Sequence, residues 1–472
     1  MTARGISGDR GKALRRAGVP AALFLAALWL AWPIHDDVSP RVWSDSPSYV
    51  RWPAADPPIE GLRVIGPRPP VYPLLLKLTG DGAALCYVQT VLSVACWCFF
   101  GWAIFGTPGV VFGAVLANFP VVWLWNHTLL SESLSFSLLA ASFGAIGLLA
   151  KKSTRRRLIL ASCVLAAFAF TRDSNIFLLP VLVLPCLLVR LKASWPLACV
   201  ALVVFATGFI SARLSNRWQW GHANAITARI LPDAQAVAFF SEAGMPTDDA
   251  VLRQAGKCTS GPLVEIFHAC PEFFDWLEEK GARTYAGWLV FRKASYVEPW
   301  RFLQQITDFD AGWYAKQGSA KRDFLRLSSR SYTWAPPPTF CTLFLMLAVV
   351  GYLIRGPARF AGVMTFTLVV ATYTQALVTY HGDAGEVERH MVPALILYRM
   401  TVISALFLLF HVCGHFLRRR SATEASRGAG TPKSDGGPPV AGPHRRLDGS
   451  KGGVGVSSAE SPAGRLCHTT LC

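Results

Sequence analysis

The chain is poor in charge. Only 16% of its 472 residues are Asp, Glu, Lys or Arg, 52% are hydrophobic, and the mean hydropathy is +0.35. That balance excludes one soluble core of ordinary make-up. Acidic residues are the scarcer sign: 29 Asp and Glu face 46 Lys and Arg, for a formal net charge of +17. In a soluble protein this excess would suggest nucleic acid. Here Lys and Arg gather in short segments between apolar runs, where they orient membrane spans, so no nucleic-acid partner is expected. The glycines form no phosphate-binding loop, so no nucleotide site is expected either. The cysteines lack metal-ligand spacing, and no metal is assigned. Most of them (Cys86, Cys96, Cys98, Cys163, Cys186, Cys199, Cys341, Cys413) lie in apolar segments and should pack as small hydrophobes. Cys258 and Cys270 fall in a polar region and are a candidate disulfide.

What the chain has is long apolar runs, several of the roughly 20 residues needed to cross about 30 Å of hydrocarbon. The fold class is an all-α polytopic integral membrane protein with about ten transmembrane helices. The spans are placed near 17–35, 84–105, 108–126, 133–150, 158–171, 175–191, 196–213, 338–354, 358–380 and 392–412. Basic segments such as KKSTRRR, VRLKASW, IRGPAR and HFLRRR fall where alternation puts the cytoplasm. The first apolar run follows a basic start without a small-residue cleavage site, and it reads as a retained span.

This ordering gives a cytoplasmic N-terminal tail (1–16) and an N-terminal transmembrane module (17–213) that includes an extracytoplasmic loop, 36–83. An α-rich extracytoplasmic region (214–337), C-terminal transmembrane helices (338–418) and a disordered cytoplasmic tail (419–472) follow. The tail is Gly, Pro, Ser and Arg with almost no large apolar residue, so it cannot offset its ordering entropy. Both termini are cytoplasmic, and the bilayer expected is a bacterial plasma membrane. In the outer region, CPEFFDWLEEKGARTYAGWLVFRKASYVEPWRFLQQI has helical spacing with a turn around Gly281. Its aromatics either pack a core or form an interfacial belt.

Polar groups converge on the outer side. Asp45 and Tyr49 lie in WSDSPSYVRW, Arg68 and Tyr72 in RPPVYPLLLKL, Glu132 in LLSESLSF, Arg172 with Asp173 and Asn175 in TRDSN, and Arg389 with His390 in HGDAGEVERH. Singly, each could end a helix or form a solvated ion pair. Together, ionisable residues at the edge of hydrocarbon are a functional hypothesis by default.

These motifs in this order, DSPSYV after the first span, RPPVYP before a short apolar helix, SES, TRDSN and a closing ERHMVPAL, resemble the GT-C glycosyltransferases. The similarity is to bacterial members related to protein O-mannosyltransferases and aminoarabinose transferases. It implies a polyprenyl-phosphate sugar as donor, an extracytoplasmic acceptor and no cofactor. Such families often carry paired acids in the first outer loop, where this chain has Asp45-Ser46; Asp36 and Asp37 form a pair and are the alternative acids.

Sugar transfer needs a base for the incoming hydroxyl and cations for the departing phosphate. Asp45 is the candidate base, with its proton affinity expected to be raised by desolvation near lipid. Arg389 is the first candidate for the phosphate, with Arg172 and Arg68 next, because guanidinium matches phosphate oxygens in pairs and stays charged. His390 could add a donor, and Glu132 either reads sugar hydroxyls or braces Arg172. The competing class is a transporter or flippase of a lipid-linked saccharide or amphiphile, which would place charge deep within spans. A non-catalytic assembly factor is the third reading.

Overall fold

The computed structural model describes residues 4–32, 38–43, 45–54, 67–189, 194–258, 260–306, 337–354, 356–382, 384–385 and 387–428. The chain forms two units, Met1–Leu417 and Arg418–Cys472. Among the described residues it is helical, without a named strand; a single isolated bridge joins Arg41 to Thr128. In chain order come α1 (Arg4–Ala31), α2 (Ser46–Val50), α3 (Val71–Thr79), α4 (Ala83–Phe105), α5 (Thr107–Ala117) and α6 (Pro120–Trp123). Then follow α7 (Glu132–Lys151), α8 (Arg155–Ala169), α9 (Leu179–Val189), α10 (Ser194–Leu214), α11 (Arg217–Ala225), α12 (Ala234–Glu242) and α13 (Asp249–Leu252). The rest are α14 (Ser260–Ala269), α15 (Glu272–Trp276), α16 (Ala282–Phe291), α17 (Ala294–Ile306), α18 (Pro337–Leu353), α19 (Pro357–Gly382) and α20 (Val387–Gly428).

Among the described residues, five helices are long and apolar enough to cross a membrane: α4, α7, α10, α19 and the Val387–Arg418 part of α20. At 1.5 Å per residue, the 23 residues of α4 reach about 35 Å. Shorter apolar helices cover Gly18–Ala31, Thr107–Ala117, Asp173–Val189 and Cys341–Leu353. The segment expected as one span over 108–126 is broken. Here α5 stops at Asn118, whose amide caps Ala114 O at 2.9 Å, and Pro120 then opens α6. A proline cannot donate the next helical hydrogen bond. The turn from α4 into α5 uses Gly106 at φ 74°, a conformation that glycine adopts without strain.

The main core gathers side chains from α1 through α10, α17, α19 and α20. Where α4 meets α5 the backbones touch: a Cβ on Gly101 would overlap the carbonyl of Gly109, and one on Gly113 that of Trp97. Small residues permit such close approach of apolar helices. A separate core, with Phe240, Phe273, Trp276, Leu277 and Tyr285, holds together α11 to α16. The aromatics at helical spacing there pack a core. The expected turn at Gly281 is absent: α15 runs through a π turn, Leu277–Gly281, directly into α16, and the break falls at Arg292. Gly281 serves packing, since a Cβ there would lie 2.7 Å from Leu277 Cδ1.

Two further expectations change. Helix α20 continues to Gly428, so the first ten residues of the expected disordered tail are helical; Arg420 Nε bonds Glu424 Oε1 at 2.9 Å one turn on. Ala, Glu and Arg extend an existing helix at little cost. Residues 429–472 lie outside the described residues. Cys258 and Cys270 are free thiols rather than a disulfide, and Cys270 Sγ lies 3.3 Å from Asp248 Oδ2, to which it donates.

Candidate functional site

The first loop is fastened to the turn before α7. Arg41 N donates to His127 O at 2.8 Å, Leu129 N to Arg41 O at 2.9 Å, and Ser46 Oγ to Leu129 O at 2.8 Å. Ser46 also receives Trp43 N–H at 2.8 Å, which fixes the backbone on either side of Asp45. Pro47 in the first turn of α2 starts that short helix with its φ already set. Tyr49 then reaches across to Ser131, with hydroxyl oxygens 2.9 Å apart, and meets Tyr72 edge to face at 5.1 Å. Arg68 is aimed by three contacts: its Nε donates to Ser48 Oγ at 2.8 Å, its guanidinium stacks 5.1 Å from the Tyr49 ring, and its carbonyl accepts from Trp52 Nε1 at 3.0 Å.

Three helix ends add the remaining charges. Glu132 opens α7, where the positive end of the helix dipole favours a carboxylate. Arg172 follows the end of α8, in a turn pinned by Asn175, whose amide donates to Phe168 O at 2.7 Å and Ser135 Oγ at 3.0 Å. Arg389 sits in the first turn of α20, against the dipole, so it needs anionic partners. It has them: Nη2 donates to Asp45 Oδ2 at 2.7 Å, and Nε lies 3.6 Å from Glu132 Oε1. Arg172 Nη1 lies 3.3 Å from the same Glu132 oxygen, and Arg68 Nη2 lies 3.5 Å from Asp45 Oδ1. His390, half-buried, places Nε2 3.0 Å from Arg389 Nη2.

Three guanidiniums and two carboxylates therefore form one connected group, and three positive against two negative charges leave one positive charge. The group is graded in burial. The side chains of Glu132 and Arg389 are 2% and 6% exposed, those of Arg68 and Asp45 25% and 31%. Glu132 Oε2 and the Tyr72 hydroxyl are buried and have no hydrogen-bond partner among the described residues. Burial pushes the Tyr72 phenol well above its ordinary range and raises that of Tyr49, so both keep their protons. Desolvation is also the largest influence on Asp45 and pushes its carboxyl up. The guanidiniums of Arg68 and Arg389 outweigh it, and the net shift is downward. The expectation of a raised proton affinity is thus corrected: a desolvated carboxylate facing two arginines keeps its charge.

Asp45, Tyr49, Arg68, Glu132, Arg172, Arg389 and His390 come together, with Tyr72 behind Tyr49. Asp173 does not join them; it forms a two-pronged pair with Arg217, at 2.8 and 2.9 Å. Asp36 and Asp37 lie outside the described residues. Sequence reading missed Arg217, whose partner is 44 positions away, and Ser48, which holds Arg68. It also passed over Arg399, which is 6% exposed inside the apolar α20 with its guanidinium 4.8 Å from the Phe119 ring. A lone arginine in an apolar run is a readable signal. Among the described residues, no three His, Cys, Asp or Glu side chains gather as a metal cluster. Comparison with protein families, with curated proteins and with solved structures gives no match to this chain.

Proposed function

We propose that this chain is a multi-pass membrane glycosyltransferase of the GT-C type. It moves a sugar from a polyprenyl-phosphate donor to a hydroxyl on an extracytoplasmic acceptor. The observation that carries the reading is the group Asp45–Arg68–Glu132–Arg172–Arg389, assembled from distant parts of an apolar helical chain with one surplus positive charge. That surplus suits an anion of single charge, such as a glycosyl phosphodiester. The apolar helices suit the isoprenoid tail. On this reading the group faces the outside of a bacterial plasma membrane, the about ten crossings alternate as the basic loops dictate, and both termini are cytoplasmic.

In the reaction, the acceptor oxygen bonds to the anomeric carbon while the bond from that carbon to the phosphate oxygen breaks. The phosphate leaves with the bonding electron pair, and the hydroxyl proton passes to Asp45. Arg389, Arg172 and Arg68 stabilise the charge that builds on the phosphate, an effect worth a few kcal/mol in preorganised sites. His390 Nε2 accepts from Arg389 Nη2 at 3.0 Å and so helps to hold that guanidinium in place, in contrast to the donor role expected from the sequence. Glu132 braces Arg172 and Arg389, and Tyr72 packs behind Tyr49.

The test uses membranes supplied with labelled polyprenyl-phosphate sugars. Asp45→Asn is expected to lower transfer by about 10²-fold or more, the scale of a general base, and Arg389→Ala by a similar factor, with expression maintained. Full transfer by the Asp45 variant removes the base assignment and turns attention to Asp36 and Asp37. One observation favours a transporter or flippase instead: Arg399 places a charge inside a span, as a conduction path would. Movement of a lipid-linked saccharide across sealed vesicles without covalent change would decide for that reading.

A further inference from the structure

Asp45 occupies the cations that a donor phosphate needs. Its Oδ2 takes Arg389 Nη2 at 2.7 Å and its Oδ1 faces Arg68 Nη2 at 3.5 Å, so one carboxylate spans two of the three guanidiniums. A carboxylate held this way is also a poor proton acceptor, because each N–H aimed at it stabilises its charged form. The base and the phosphate site, in this arrangement, block each other.

The two carboxylates of the group differ in freedom. Glu132 is 2% exposed and braced by Arg172 on one side and Arg389 on the other. Asp45 is 31% exposed and precedes a five-residue helix, so its side chain has solvent to turn into. Charge favours the exchange as well. A glycosyl phosphodiester carries one negative charge, as does an Asp carboxylate, so swapping one for the other keeps the surplus of the group at one positive charge.

We propose that Asp45 is a displaceable internal anion. The phosphate of the donor replaces its carboxylate on Arg68 and Arg389, and the carboxylate so released becomes the base. The inference rests on the transferase reading and adds an order to it: donor first, acceptor second. No covalent bond changes in the exchange. Asp45 gives up two guanidiniums and gains the acceptor hydroxyl, whose proton it takes during transfer.

The experiment is calorimetric titration of the full-length protein in detergent with methyl geranylgeranyl phosphate, a diester that carries one negative charge as the donor does. Removing the competing charge by Asp45→Asn is expected to tighten binding about tenfold, whereas Asp45→Glu, which keeps the charge, stays within about threefold of the unaltered protein. Arg389→Ala loses binding. If Asp45→Asn fails to fold, Asp45→Ser removes the same charge and carries the same expectation. Binding to the Asn or Ser variant that is equal to or weaker than that of the unaltered protein overturns displacement and leaves the phosphate site standing. No binding to either the unaltered protein or the uncharged variants overturns the phosphate site and the displacement together.

Discussion

Glu132→Gln is the most informative single change. Glu132 is 2% exposed and its Oε1 lies 3.3 Å from Arg172 Nη1 and 3.6 Å from Arg389 Nε. At an effective dielectric constant near 20, each attraction is about 5 kcal/mol before desolvation is subtracted. The net value is much smaller, because burying three charges is itself expensive. What the substitution leaves behind matters more: the half-buried Arg172 loses its carboxylate beside the buried Arg389, which keeps Asp45 at 2.7 Å. Breaking a buried pair from one side costs about 3–5 kcal/mol. Glutamine keeps the shape and one carbonyl acceptor, so the expected loss is near the lower end, about 3 kcal/mol. Denaturant unfolding in mixed micelles measures it. The double variant Glu132→Gln/Arg172→Gln removes one stranded cation and should recover at least about 1 kcal/mol of the sum of the single effects. A Glu132→Gln protein within about 0.5 kcal/mol of the unaltered one would mean that the buried group carries no mutual dependence, and the site argument fails.

Further outcomes follow from the same geometry. The Asp45 carboxyl is held below its ordinary value of 3.8, so its ion pairs contribute stability above that value and lose it as pH falls through the lower folded value. In the free protein Arg68, Arg389 and His390 face it, with Tyr49, Glu132 and Arg172 beyond. The acid limb of kcat/KM, which reports the free protein, should therefore lie below about pH 4, and that of kcat, with phosphate on the arginines, above it; a kcat/KM limb above about pH 5 contradicts the pairing. Gly101→Val pushes α4 from α5 against backbone and should cost at least about 2 kcal/mol in the same unfolding assay; an unchanged midpoint refutes the close contact. Cys258 and Cys270 should both be alkylated after unfolding without reductant, as read by mass spectrometry; a bonded pair would contradict the free thiols.

Part of the architecture is legible because hydrocarbon imposes a length on a helix that crosses it. The runs that became α4, α7, α10, α19 and α20 can be read from apolar length alone. Breaks are less legible. The stop at Asn118 and Pro120 interrupts an otherwise apolar stretch, and at Gly281 the helix continues through a π turn where glycine suggests a break. Local pattern reports what a segment can form, not what its neighbours allow.

The types of residue in the candidate site are legible in the sequence: Asp45 and Tyr49 after the first apolar run, Arg68 within RPPVYP, Glu132 within SES, Arg172 within TRDSN, and an ERH triplet. Their partners were decided by tertiary structure alone. Arg389 and Asp45 are 344 positions apart, and no periodicity links such distances. The direction of the Asp45 shift depended on this too. Burial by itself raises a carboxyl, and only the placement of Arg68 and Arg389 beside it reverses the sign, because charge interactions depend on separation in space rather than along the chain.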